Sequence, residues 1–540
     1  QDITREIWTG QIKIEVINML RKIELYDTTL RDGAQTEGIS YSVEDKIRIC
    51  RKLDELGINY LEAGWPSNPK DREVFQKLKK KPLENSTLVA FGSTRRAKLK
   101  CGHDPNIKRL LEAGTQVITI FGKTWNLHVR DVLNVSLEDN LDIISDSIRY
   151  LVSKGKTVFY DAEHFFDAYK ENPEYSLKTI MAAQEAGAKM IILCDTNGGT
   201  LPSEISKVIY EIKPKMAASL GIHTHNDLGL AVANSLIAFQ AGCIQIQGTF
   251  NGLGERCGNA DLCTLIGILK TKLNIDCISD AKLRRLTEVS RFISEESNIK
   301  HQDNFPFVGH SAFAHKGGVH IDAMMKNPKT YEHISPVLVG NHRRILVSEL
   351  AGKTPILLKA KELELDLDKK SPQAKRLMKL LQDLEHKGYQ FEAAEGSFEI
   401  LMQKAFKKYK KFFELEGFRV VVEKRSDKKI TSEAIIKVKV KGIKEHTAAE
   451  GDGPINALDN ALRKALKDFY PTLSKMHLTD FKVRVLNEKV GTAAKVRVLI
   501  ESQDDKDSWG TVGVSENIIE ASWQALADSV EYKLLKDKVE

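Results

Sequence analysis

The chain has 540 residues, 42% hydrophobic and 29% charged, and its 81 basic and 74 acidic side chains leave a net charge of +7. That length exceeds one hydrophobic core and predicts about two to four domains, while the mild, dispersed charge excess excludes a nucleic-acid footprint. No apolar run reaches the ~18–20 residues needed to span a bilayer, and seven cysteines without a C-x-x-C pair predict free thiols in a reducing, cytoplasmic setting.

Residues 1–22 carry Asp2, Glu6 and Glu15 and lack the apolar centre of a signal peptide, so they are left unassigned. From 23 to 275 short β-rich runs alternate with amphipathic stretches. The predicted strands are Ile23–Tyr26, Tyr60–Ala63, Thr87–Phe91, Val117–Phe121, Thr157–Asp161, Met190–Cys194, Leu220–His223 and Ile244–Gly248. Glycines at 57, 114, 155, 187, 221 and 242 fit one punctuation, a helix end followed by a turn into the next strand. Ser42 with Asp45 predicts a capping box at the first helix. Eight β/α units in this length predict a parallel (β/α)₈ barrel, the TIM-barrel architecture. A doubly wound open sheet fits less well, because no Gly-rich phosphate loop follows the first strand.

Residues 276–414 read as helical linker subdomains. Asp280–Asn298 reads as one helix and Ser371–His386 as another, with Ser371 as N-cap; basic Lys404–Lys411 reads as a solvated helix face. From 415 to 540 a pattern repeats. Strands Phe418–Val422 and Ala434–Val440, a loop at Gly453 and helix Asn456–Phe469 are followed by strands Phe481–Leu486 and Val496–Ile500, a loop at Gly513 and helix Asn517–Tyr532. Two ββα halves predict a small, pseudo-duplicated α+β domain.

Catalytic groups of such barrels sit at the C-terminal ends of the strands. The unusual polar residues fall there: Asp27 to Gln35 after the first strand, Asp161 to His164 at the fifth, Asp195 to Gly198 after the sixth, His223 to Asp227 at the seventh, Asn251 to Asn259 after the eighth. His223 and His225 are two apart and share a face of an extended strand. Barrel closure brings Asp32 from the first strand to their neighbourhood, and two histidines with one carboxylate make a catalytic divalent-metal set. Taken singly, Asp32 also reads as a turn residue and Arg31 as a salt-bridge partner.

Three strings carry a resemblance: Y-D-T-T-L-R-D-G-A-Q-T-E-G, G-I-H-T-H-N-D-L-G-L-A-V-A-N-S and N-G-L-G-E-R-C-G-N-A. They resemble the family of isopropylmalate, homocitrate and citramalate synthases, over nearly the whole chain. F-Y-D-A-E-H-F-F-D, L-E-A-G-W-P-S-N-P-K-D and F-G-S-T-R-R look most like its longer, citramalate-forming type. The resemblance implies an acyltransferase that condenses acetyl-CoA with pyruvate and then hydrolyses the thioester, in isoleucine biosynthesis. Condensation onto another 2-oxo acid, as in isopropylmalate or homocitrate synthesis, and lyase or aldolase chemistry on the same barrel stay open as alternatives.

The resemblance also implies site residues. Asp32, His223 and His225, with Asn259 as a fourth group, hold one divalent ion (Zn, Mn or Mg). Arg31, Thr196 and Gln35 bind the 2-oxo acid, and Arg31 polarises its carbonyl. Glu163 serves in acetyl-CoA activation, with His164 beside it as a competing base. His320 and Tyr331 reach the site from a neighbouring subunit of a homodimer, and the C-terminal domain is regulatory, with isoleucine as effector.

Overall fold

The computed structural model describes residues 23–346, 356–357, 359–360, 372–424, 430–486, 494–505 and 507–538. Those residues form two compact units, one running to Phe313 and including Ile334–Arg343, the other made of Ala314–His333 and the chain from Arg344 onward.

The first unit is a closed eight-stranded barrel: β1 (Glu24–Asp27), β2 (Tyr60–Glu62), β3 (Thr87–Ser93), β4 (Val117–Lys123), β5 (Thr157–Glu163), β6 (Met190–Asp195), β7 (Ser219–Thr224) and β8 (Gln245–Gly248). All eight predicted strands are present within a residue or two. β1 closes on β8 in parallel, with Glu24 opposite Gln245 and Asp27 opposite Gly248. The strand period of two divides each strand between two layers. Tyr26, Val89, Phe159 and Ile192 fill the barrel interior. Leu25, Ile118, Val158, Ile191 and Ile246 face the surrounding helices. With both faces buried, the strands read as nearly continuous apolar runs.

Ser42 caps helix Val43–Leu56 in the expected box with Asp45. Gly57, Gly114, Gly155, Gly187 and Gly242 all take positive φ, as the helix-end turns require. Gly221 does not: it lies inside β7. Its lack of a side chain serves close strand packing, since a Cβ there would meet Ile192 and Gln245 at 3.2 and 3.3 Å. The single helix expected over 280–298 is two, Asp280–Leu283 and Leu286–Glu296. The break accommodates the Pro336–Gly340 turn, whose Gly340 sits so close to the Arg284 carbonyl that a Cβ would approach it to 2.0 Å.

The second unit holds helices Pro372–His386 and Glu395–Ala405. Ser371 lies outside the described residues. Lys404–Lys411 is not a helix face, because the helix ends at Ala405 and Lys407 turns the chain at φ 55°. The expected ββα halves are βββα. One pairs β9 (Phe413–Glu423), β10 (Thr431–Val440) and β11 (Ile443–Gly451) before helix Pro454–Leu466; the other pairs β12 (His477–Val485), β13 (Val496–Gln503) and β14 (Ser508–Ser515) before helix Ile518–Lys536. β11 escaped notice because none of its residues is fully buried, so it carries no apolar alternation. β14 was masked by glycines. Gly510 and Gly513 belong to the strand rather than a loop, where a Cβ would meet the Ala393 and Ala521 carbonyls at 1.9 and 2.0 Å.

Among the described residues no helix is long and apolar enough to cross a membrane, and all seven cysteines are free.

Candidate active site

The C-terminal ends of the barrel strands surround a cavity of about 260 Å³, lined by Arg31, Asp32, Gln35, Asp161, Glu163, Thr196, His223, His225 and Arg256 among others. Three aromatic rings, Trp65, Phe91 and Phe121, form one wall; Phe91 and Phe121 stack at 5.6 Å with Trp65 edge-on to both.

Asp32, His223 and His225 are all buried, and each offers a ligand atom within 4.8 Å of the other two. β7 supplies the His223 imidazole, and His225 follows directly after its last residue, Thr224. Asp32 follows β1, which neighbours β7 through β8. His223 Nε2 and Arg31 Nη1 each lie 3.2 Å from Asp32 Oδ2. Burial disfavours the charged carboxylate, yet Arg31 and His223 outweigh it and hold Asp32 well below the usual range. Burial and the neighbouring His223 push His225 down to about 3, which keeps it the neutral imidazole a metal needs. Asn259 pairs with His225 in an isolated bridge. His225 Nδ1 and Asn259 Oδ1 are both buried without a hydrogen-bond partner among the described residues. Such atoms are costly unless something satisfies them. The donor set, two imidazoles, a carboxylate and an amide oxygen, fits a divalent ion.

Arg31 is fixed from three sides. Its Nε donates to Glu62 Oε1 at 2.5 Å, its guanidinium lies 3.9 Å over the Phe91 ring, and Nη1 reaches Asp32. Glu62 in turn accepts from the Tyr26 hydroxyl at 2.5 Å. Glu163 ends β5 and pairs with Lys123 at the end of β4. His164 lies next to it in sequence but does not line the cavity. It takes φ 56°, bonds Asp167 Oδ2 at 3.0 Å through Nδ1 and packs edge-on to His128 at 4.5 Å. Its backbone N–H donates to Thr196 Oγ1 at 2.9 Å. Thr196 therefore keeps its own hydroxyl proton for a ligand in the cavity. Gln35 sits in the short turn Gly33–Gln35.

Other members of the polar clusters have structural tasks. Asp27 is occupied by Thr29, and Asp195 by Thr200. His320 and Tyr331 are exposed in the second unit, where their rings stack at 4.1 Å. Sequence reading passed over Glu62, Gln247, Lys123 and the aromatic wall. A signal existed for two of these. The I-Q-I-Q run of β8 alternates apolar with polar, and Glu62 interrupts an apolar strand; both are the marks of polar groups turned into a barrel.

A closed parallel barrel with an Asp-His-His cluster at the strand ends defines a metal-using barrel enzyme. The HMGL-like family pattern matches residues 22–293, the homocitrate synthase post-HMGL domain-like pattern residues 307–388, and the LeuA allosteric (dimerisation) domain residues 392–534. The chain is 56% identical to an (R)-citramalate synthase of Geobacter sulfurreducens, over 96% of this chain and 98% of that one. It is 54% identical to one of Aquifex aeolicus, over 97% and 99%. A 2-isopropylmalate synthase of Methanocaldococcus jannaschii is 33% identical, over 97% of each chain. Among solved structures, a hydroxymethylglutaryl-CoA lyase from Pseudomonas aeruginosa aligns with a TM-score of 0.45 and 21% identity, covering 52% of this chain and 94% of that one. The chain belongs to the HMGL-like family, within its citramalate and isopropylmalate synthase group of metal-dependent, acetyl-CoA-using acyltransferases.

Proposed function

We propose that this chain condenses acetyl-CoA with pyruvate and hydrolyses the resulting thioester, releasing (R)-citramalate and CoA. The observation that favours pyruvate over a larger 2-oxo acid is the 56% and 54% identity, over nearly the full length, to two (R)-citramalate synthases, against 33% to a 2-isopropylmalate synthase. Asp32, His223, His225 and Asn259 would hold a divalent ion, which when bound supplies Lewis-acid polarisation of the keto group. Arg31, immobilised by Glu62 and Phe91, places a fixed positive charge where alkoxide develops. Thr196 donates its hydroxyl proton to the 2-oxo acid carboxylate, with Gln35 as a further contact. Glu163 removes a proton from the acetyl methyl, and the new carbanion bonds to the keto carbon. The alkoxide takes up a proton, and water then cleaves the C–S bond to give a carboxylate and a thiol. His164, engaged by Asp167, supports the site instead of acting as base.

The protein acts in the cytoplasm as a homodimer in which His320 and Tyr331 complete the partner's site. Residues 415–540, which the match to an allosteric (dimerisation) domain covers as far as 534, bind isoleucine as inhibitor. Removing 415–540 should abolish isoleucine sensitivity; a truncated enzyme inhibited like the full chain would refute this assignment. For the reaction, a panel of 2-oxo acids with thiol release as readout should give the highest kcat/KM for pyruvate. A higher value for 2-oxoisovalerate would reassign the chain to isopropylmalate synthesis.

A further inference from the structure

The loop after β3 carries the sequence T-R-R-A-K-L-K-C-G-H, without an acidic residue between Ser93 and Asp104. It begins three residues beyond the cavity-lining Phe91, and Thr94 N–H is tied to the Phe121 carbonyl, so it leaves the barrel at the same end as the active site. The loop is internally fixed. Arg95 Nε donates to Asp146 Oδ2 at 2.6 Å, and its Nη1 donates to the carbonyls of Arg96, Ala97 and Leu99 at 3.1–3.3 Å. Arg95 N–H is held by Ser147 Oγ, and Arg96 N–H by Asp104 Oδ2. Asp104 is fully buried and spends its other oxygen on the N–H groups of Asn106 and Ile107.

The consequence is a division of labour between adjacent arginines. Arg95 turns inward and braces the loop. Arg96, Lys98 and Lys100 are exposed, and among the described residues none of the three forms an ion pair. Three unneutralised cations on a rigid loop lose little conformational freedom when an anion docks, and their field is not cancelled locally. Elsewhere on this unit many exposed lysines and arginines are paired, as Lys77 is with Glu44 and Glu73.

We infer that Arg96, Lys98 and Lys100 bind the phosphates of the nucleotide end of acetyl-CoA. The inference rests on the acetyl-CoA reading above. Barrel order supports the path: Glu163 ends β5, and only β4, with Phe121 and Lys123, separates β5 from β3. An acetyl group at Glu163 places its pantetheine arm across β4, with the phosphates arriving at the β3 loop.

The test compares thioesters in the full-length enzyme. Acetyl-CoA, acetyl-dephospho-CoA and acetyl-pantetheine share the reacting end and differ in phosphate charge. A triple variant, Arg96→Ala with Lys98→Ala and Lys100→Ala, should raise KM for acetyl-CoA roughly ten-fold, from about a few-fold per exposed charge pair. The rise should shrink for acetyl-dephospho-CoA and vanish for acetyl-pantetheine, and KM for pyruvate should hold. Lys189→Ala, a lost charge just before β6 at the opposite end of the barrel, should leave all three KM values alone. Added salt should weaken acetyl-CoA binding in the wild type more than in the triple variant. An unchanged KM for acetyl-CoA in the triple variant, or an equal rise for acetyl-pantetheine, overturns the inference. No thiol release by the wild type with any 2-oxo acid would instead remove the acetyl-CoA reading beneath it.

Discussion

His223 donates its Nδ1–H to Gln247 Oε1 at 3.0 Å, which leaves Nε2 facing Asp32 Oδ2 at 3.2 Å. An amide oxygen accepts and never donates, so Gln247 fixes the tautomer of His223 and aims its second nitrogen at the carboxylate. Gln247 is itself buried, with its amide nitrogen 3.4 Å from Asp161 Oδ1. Replacing Gln247 by Leu should therefore weaken divalent-metal affinity by about 10–100-fold without unfolding the barrel. Competition against a chelator of known affinity measures this, and an unaltered metal affinity would show that Gln247 merely fills space.

The ligand set itself should behave differently. His223→Ala or Asp32→Ala removes a direct donor, and turnover should disappear while far-ultraviolet circular dichroism stays that of the native fold. Exhaustive chelation of the wild type should do the same, with activity restored on adding back a divalent ion. Full activity in metal-depleted protein would refute the assignment.

The barrel was legible because its rule is simple: eight buried runs alternate with amphipathic helices, and polar residues gather at the C-terminal ends of five of the strands. The Asp32, His223 and His225 set was legible for the same reason, since strand periodicity and barrel closure alone put them together. Gly221 was grouped with the helix-end glycines although it lies within the expected strand Leu220–His223; the close approach of Ile192 and Gln245 that calls for a glycine there leaves no mark in sequence. β11 and β14 were missed through opposite failures of the alternation signal, one strand with no fully buried residue and the other buried on both faces. Glu62 and Lys123 act through partners on neighbouring strands, and register between distant strands is invisible until the barrel closes.

Glu163 and His164 can be separated by substitution. Glu163 faces the cavity, whereas the His164 ring is held by Asp167 and His128 away from it. Glu163→Gln should lower kcat by about 10²–10⁴-fold, the usual range for losing a general base. His164→Gln should cost far less, because the backbone N–H that places Thr196 is kept. Steady-state kinetics decides, and a larger kcat loss in the His164 variant would exchange the two roles.

The proposed completion of the site by a second subunit predicts complementation. His320→Ala and Arg31→Ala homodimers should each be nearly inactive. In a mixed dimer one site receives neither defect and the other receives both. Co-refolded, affinity-selected heterodimers should thus recover up to about half of wild-type activity per dimer, the share of intact sites expected when shared subunits are independent. Verified heterodimers without recovery would place His320 in its own subunit's chemistry or outside chemistry altogether.

The last prediction concerns stability of the second unit against pH. Glu531 lies buried on the final helix, hydrogen-bonded by the Tyr409 hydroxyl. Burial is the main force raising its pKa to about 7; Asp528 adds to the rise, while the Tyr409 hydrogen bond, Lys404 and Lys411 oppose it. Asp528, one turn earlier, is raised by burial to about 6. An unfolded glutamate titrates near ~4.3. Between that value and about 7 the folded chain holds a proton that the unfolded chain has lost. Stability from this group is therefore complete below the unfolded value, declines as pH rises, and is gone above about 7. The displacement corresponds to on the order of 4 kcal/mol at most. Glu531→Gln keeps an oxygen for the Tyr409 hydroxyl and has no proton to lose. Its calorimetric transition should match the wild type near pH 4–5 and exceed it by several degrees at pH 8, with Asp528 leaving a smaller residual slope. Parallel pH dependences for the two proteins would show that Glu531 is ionised throughout and that Lys404 and Lys411 overcome its burial.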